Sequence, residues 1–399
     1  MSPGGLSRAR LGRMKDVMAG HVECGGVSGL VTLVSRRGET HVDAIGRKAV
    51  GGDPMRRDTI FRIASMTKPV AAVAAMILVE ECRLRLDEPV DRLLPELTDR
   101  RVLKRLDGPL DETEPANRAI TLRDLLTLRM GFGHIMKPGA YPIQKAAGDR
   151  HILSGPPKPQ TRPDPDEWIR RVGALPLMHQ PGEAWMYDLG LDVLGVLIAR
   201  AADQPLETFF RERIFEPLGM KDTGFSLPAE KLDRLATCYQ TDPETGMLEI
   251  YDGIDDSQWS RPPAFPSAAG GLVSTIDDYL AFGRMMLNNG KHGREQILSR
   301  PSVELMTTDQ LTAEQKACAR IFLGDNRGWG FGLSIVTWRN DLSAVPGRFG
   351  WDGGLGTSWA SDPKEDMVAI LLTQSAWTSP SPPGIYHDFW TSAYQAIDD

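Results

Sequence analysis

The chain has 399 residues, 41% of them hydrophobic and 25% charged, with a formal net charge of −7. This is the composition of a globular protein long enough for two structural units. Acidic and basic residues are interspersed with no basic stripe, which argues against a nucleic-acid partner, and the longest apolar run, Val70 to Val79, is too short to span a bilayer.

The first 26 residues carry basic side chains but no apolar run of seven. They predict no secretory signal and a cytoplasmic protein. The segment SGLVTLVSRRGETHVDAIGR then predicts a β-hairpin turning at Arg36-Arg37-Gly38. Next, FRIASMTKPVAAVAAMILVEE passes from a short strand into an apolar helix, with Ser65 three residues before Lys68 and so on one helical face. A serine hydroxyl needs a neighbouring base to become a nucleophile. A lysine buried in such a helix loses hydration of its charged form and is suited to that role. The alternative is an N-cap serine beside a lysine that reaches out to water.

Further along, ITLRDLLTLRMG predicts a helix capped by Thr121 and stopped at Gly131. The stretch from Met136 to Trp168 holds seven prolines, and Asp252 to Gly271 is similarly irregular; both are expected to be long loops walling a pocket. Between them lie two helical patterns, LDVLGVLIARAADQ and LETFFRERIFEPLGM, the first preceded by a Pro181-Gly182 turn and Tyr187. A further helix is capped by Thr275 and stopped by Gly290. The C-terminal third turns β-rich, with breaks at Asp341 and Asp362-Pro363 and a closing helix over His387 to Ile397. Its glycine-dense strand FGWDGGLGTSW suggests close approach by a backbone or a ligand, with bare N–H groups facing Ser65 as an oxyanion site.

The four cysteines, Cys24, Cys82, Cys238 and Cys318, show no paired spacing and are expected to be free, buried thiols. No histidine grouping suggests a metal, and no cofactor is expected. The G-x-S-x-G elbow of α/β-hydrolases is also missing.

Taken in order, three motifs make the chain resemble the serine β-lactamase and penicillin-binding-protein-like family. Within it, the chain is most similar to family VIII carboxylesterases. S-x-x-K stands intact at Ser65-Met66-Thr67-Lys68. Y-x-N appears as Tyr187-Asp188-Leu189, and the K-T-G or H-x-G motif appears as Trp351-Asp352-Gly353. The segments IFEPLGMKDTGF and AAGGLVSTIDDYLAF match in style.

The resemblance implies an α+β, β-lactamase-like fold. Its antiparallel sheet comes from both chain ends (1–85 and 260–399), a mainly helical domain spans 86–259, and the active site lies between them. It also implies a serine carboxylesterase that forms an acyl-enzyme on Ser65. Lys68 and Tyr187 share the proton work, with the general base left open, and Ser65 and Gly354 supply oxyanion N–H groups. Trp351, Asp352, Gly353, Phe132, His134, Trp259 and Phe265 are the expected substrate contacts.

Tryptophan where relatives carry a basic residue removes a carboxylate-binding group and favours apolar, uncharged esters. The rival readings are a β-lactamase or D-alanyl carboxypeptidase, an acyltransferase or amide hydrolase of the same fold, and a non-catalytic binding protein. The expected ligand is a small-molecule ester.

Overall fold

The computed structural model of the chain describes residues 3–153, 155–242 and 244–399. In chain order, the elements that frame the site are α1 (Arg8–Glu23), β1 (Gly29–Arg36), β2 (Glu39–Gly46), α2 (Thr67–Glu80), α3 (Leu189–Ala202) and α4 (Ile276–Leu287). They continue with β3 (Arg327–Trp329), β4 (Ser334–Val336), β5 (Phe349–Gly353), β6 (Thr357–Asp362), β7 (Met367–Thr373) and α5 (Gly384–Gln395). The strands form one seven-stranded antiparallel sheet in the order β3-β4-β5-β6-β7-β1-β2.

The predicted hairpin sets Leu33 opposite Val42. The other edge of β1 meets β7, with Leu33 opposite Ile370, so this pairing joins the two chain ends. Every residue of β1 is buried because both sheet faces are covered. Alternate residues serve alternate faces. Leu30, Val34 and Leu371 pack with Leu11 and Met14 of α1 and Phe389 and Trp390 of α5. Val31, Leu33, Ile370 and Leu372 belong to the main core with Phe282 of α4 and the apolar face of α2. The fold is therefore α+β, an antiparallel sheet built from both chain ends with helices on both faces.

Several expectations change. The N-terminal segment forms α1, whose buried Leu11, Met14 and Met18 recur at helical spacing among polar residues. The proline-rich stretch contains two helices, Pro142–Asp149 and Pro165–Gly173, each with proline in its first turn, where the ring costs no hydrogen bond. Thr121 caps its helix through a reciprocal bond with Asp124, but that helix ends at Leu126, ahead of a left-handed Leu128. Cys238 is buried as expected, whereas Cys24, Cys82 and Cys318 are exposed; all four are free. Among the described residues no helix is long and apolar enough to cross a membrane.

The short strand Phe61–Arg62 leads into Ser65 and is anchored by a buried cation. Arg62 is fully buried; its Nε donates to Asp252 Oδ2 at 2.7 Å and its Nη1 to Gln374 Oε1 at 3.0 Å. The Trp259 ring lies 5.2 Å from its guanidinium carbon. Removing one member of a buried ion pair strands the other. We therefore expect Asp252→Ala to destabilise the fold by about 3–5 kcal/mol, measured by urea unfolding. A loss below about 1 kcal/mol would show the pair to be dispensable.

Candidate active site

A three-residue 3₁₀ turn, Ala64–Met66, delivers Ser65 from the strand to the start of α2. It enters through Ala64 in the left-handed region at φ 44°, a strain of the kind found where a side chain must be presented outward. Lys68 follows on the same face and is completely buried, so it does not reach out to water. Its Nζ lies 3.0 Å from Ser65 Oγ, 2.7 Å from the Ala269 carbonyl oxygen and 2.5 Å from Asp188 Oδ1.

Tyr187 meets this pair from the turn before α3. Its ring stacks on Phe322 with centroids 4.4 Å apart and lies 5.6 Å from Trp185. Lys68 Nζ sits 4.6 Å from the Tyr187 ring centroid. The indole N–H of Trp351 donates to the Tyr187 oxygen at 3.0 Å. The phenol is thus fixed by aromatic packing on its flanks and by the Trp351 donor at its tip.

The electrostatics differ from the expectation for Lys68. Burial disfavours its ammonium, but the Asp188 carboxylate and Tyr187 outweigh burial and hold the lysine above its ordinary value. Burial would raise Asp188, yet Lys68, His134 and Arg162 hold it below the usual carboxylate range. Burial pushes the Tyr187 phenol up, partly opposed by Lys68. At neutral pH the cluster is therefore an ammonium, a carboxylate and a neutral phenol.

The backbone explains how these groups meet. Asp188 occupies the N-cap position of α3 but caps nothing, because at φ 88° and ψ −65° its carboxylate is turned to Lys68. One turn on, the buried Asp192 accepts from Ser267 Oγ at 2.7 Å and from the Ala269 N–H at 3.0 Å. That fixes the segment whose carbonyl holds Lys68. Gly353 closes the other side; a Cβ there would overlap the Ile63 carbonyl, so glycine is needed where β5 crosses the strand leading to Ser65.

Ser65, Tyr187, His134, Phe265, Trp351 and Gly354 line one cavity of about 330 Å³. Much of the rest of its wall is Met136, Pro156, Pro157, Phe322 and Trp377. Both irregular stretches contribute, Pro156 to Pro159 from the first and Phe265 to Gly271 from the second. His134 Nε2 lies 4.0 Å from Asp188 Oδ2, and burial lowers its basicity, which leaves a neutral imidazole at neutral pH.

Three expected substrate contacts lie away from the cavity, and a fourth lines it with its carboxylate turned aside. Phe132 is fully buried in the core, because Gly131 and Gly133 let the loop fold it inward against the Tyr187 segment. Trp259 is also fully buried and donates its indole N–H to the Gly271 carbonyl. Gly353 serves close backbone approach and does not line the cavity. Asp352 borders it, but strand alternation turns its carboxylate to Ser358 Oγ, 2.6 Å away on the opposite face from Trp351. The sequence analysis missed Asp188, Asp192, Phe322 and Trp377. Only Asp188, inside the second motif, stood where a sequence signal marked it.

A family model described as Beta-lactamase matches residues 14–384, and the chain belongs to that family. Fold and site together define it as a serine hydrolase of β-lactamase fold. Protein Rv1367c of Mycobacterium tuberculosis is 41% identical over 365 residues, covering 88% of this chain and 87% of that protein. Esterase EstB of Burkholderia gladioli is 33% identical over 380 residues, covering 89% and 88%. Among solved structures, EstCE1, described as a hydrolase with promiscuous acyltransferase activity, superposes with a TM-score of 0.78 at 26% identity, covering 98% of this chain and 99% of that one.

Proposed function

We propose that the protein is a serine carboxylesterase that hydrolyses small or medium apolar esters through an acyl-enzyme on Ser65. The observation that carries this reading is the contact of Ser65 Oγ with Lys68 Nζ at 3.0 Å, at the foot of a cavity walled largely by aromatic and proline side chains. Ser65 attacks the ester carbonyl, and the backbone N–H groups of Ser65 and Gly354 receive the oxyanion. The Lys68–Tyr187 cluster takes the Ser65 proton and passes one to the leaving alcohol, and water then releases the acid. Trp351 in the third motif favours uncharged acyl groups over the carboxylated substrates of penicillin-recognising relatives. The 33% identity to a named esterase supports the same reading.

Labelling with a fluorophosphonate, followed by peptide mass spectrometry, tests it. The adduct is expected on Ser65, with p-nitrophenyl butyrate hydrolysis lost in proportion to labelling. Full labelling of Ser65 with hydrolysis untouched would refute the assignment. A preference for an alcohol acceptor over water in the same assay would recast the enzyme as an acyltransferase.

A further inference from the structure

We propose that Trp377 limits the chain length of the ester, by closing the active-site cavity off from a second cavity fit for the end of an unbranched apolar chain. The inference rests on the esterase reading and names the residue that bounds its substrates.

The second cavity has a volume of about 190 Å³. It meets the first at the turn between β5 and β6, where Gly354 lines the active-site cavity and Gly356 lines the second. Among the described residues, Trp377 alone lines both. The chain beyond it runs between them, with Ser379 and Pro380 on the active-site side and Thr378 and Pro383 on the other. At Trp377 the partition is a single residue thick.

The backbone sets that ring beside the reacting atoms. After β7 the chain lies along the β5–β6 turn. The Thr373 N–H donates to the Gly356 carbonyl and the Trp377 N–H to the Gly354 carbonyl, both at 2.8 Å. Gly354 is the residue whose own N–H the esterase reading assigns to the oxyanion. The partly buried Trp377 ring then packs edge-on against Tyr386, with centroids 5.9 Å apart. Tyr386 is anchored in turn by Arg327, whose Nη2 donates to its hydroxyl at 3.0 Å.

The chemistry of the second cavity suits a hydrocarbon. Val27, Leu371 and Ile385 supply apolar wall, and no charged side chain lines it among the described residues. Three of its hydroxyls have already spent their one donor. Thr357 Oγ1 donates to the Ile63 carbonyl at 3.1 Å, Ser358 Oγ to Asp352 at 2.6 Å and Thr373 Oγ1 to the Gly356 carbonyl at 2.8 Å. A charged group entering the cavity would find no counter-charge, whereas methylenes would leave only water behind.

Removing the indole joins the two cavities. Each further buried methylene is worth about fourfold in binding. A chain that reaches two or three methylenes past Trp377 therefore gains more than about tenfold.

The test measures kcat/KM over two ester series with wild type, Trp377→Ala and Trp377→Leu. p-Nitrophenyl alkanoates from butanoate to dodecanoate lengthen the acyl end, and alkyl butyrates from butyl to dodecyl lengthen the alcohol end. Trp377→Ala is expected to raise the long-to-short ratio more than about tenfold in at least one series, which identifies the end that runs toward Trp377. Trp377→Leu, which keeps an apolar contact for Tyr386, should move it the same way by less. Adding Ile385→Trp, at the start of α5, fills the second cavity without touching the first and should return the ratio toward the wild-type value. An unchanged ratio in both series for the folded Trp377 variants would overturn the proposal. So would a ratio that stays raised when Ile385→Trp is added, since the gain would then come from the first cavity alone. Wild type taking the longest esters of both series as readily as the shortest would overturn it without any variant. Failure of the esterase reading looks different: hydrolysis of the short ester would persist in Ser65→Ala.

Discussion

Ser65→Ala is expected to lower kcat for p-nitrophenyl butyrate by about 10⁶-fold, the scale on which a serine hydrolase loses turnover with its nucleophile. The argument is geometric. Ser65 Oγ is the hydroxyl held by Lys68 Nζ at 3.0 Å in the cavity, and deleting it leaves no oxygen there to receive the acyl group. The substitution is structurally mild. Lys68 keeps its bonds to Asp188 and to the Ala269 carbonyl, so no buried charge is stranded. The Tm of the variant should therefore stay near that of wild type while turnover vanishes. Loss of the fluorophosphonate adduct in the same variant separates the missing nucleophile from misfolding. Turnover within about a hundredfold of wild type would mean that Ser65 is not the acyl acceptor.

How much of this was legible in the sequence depends on the range of each contact. Ser65 and Lys68 share a helical face, so their pairing follows from local periodicity. A second S-x-x-K match, Ser361-Asp362-Pro363-Lys364, differs from it in setting. Ser361 is buried in β6, donating to the Gly283 carbonyl, and Lys364 is exposed in the turn beyond. The hairpin and the glycine-dense strand were legible for similar reasons.

Asp188 was visible as a residue but not as a partner of Lys68. Nothing local states that a carboxylate 120 positions away will take a left-handed backbone and turn from its helix to a buried amine. The basicity of Lys68 was misjudged for that reason, because burial and a carboxylate act in opposite directions and only the fold sets their balance. Phe132 and Trp259 illustrate the same limit. Aromatics in irregular, glycine- or proline-rich stretches suggest pocket walls, yet these two side chains fold inward to brace the elements behind the site. Phe265, in an equally irregular stretch, does line the cavity, packed on Trp168 with ring centroids 4.8 Å apart.

Tyr187→Phe should cost about 10²–10⁴ in kcat, the usual range for a positioned proton-transfer group, with little change in KM. Phenylalanine keeps the ring that stacks on Phe322 and faces Trp185 and Trp351, so the aromatic wall and the cavity shape persist. Only the oxygen is lost. Trp351 Nε1 loses its partner, and the Lys68–Tyr187 cluster loses a proton-transfer group. Lys68→Met should also be severe, because it strands the Asp188 carboxylate and removes the cation beside Ser65. If the two residues serve one proton-transfer step, the double variant will be barely worse than the more damaged single variant. Effects that multiply instead would assign them to separate steps. A Tyr187→Phe enzyme within about tenfold of wild type would remove the phenol from the chemistry altogether. The Trp351 bond to Tyr187 would then serve only to shape the cavity.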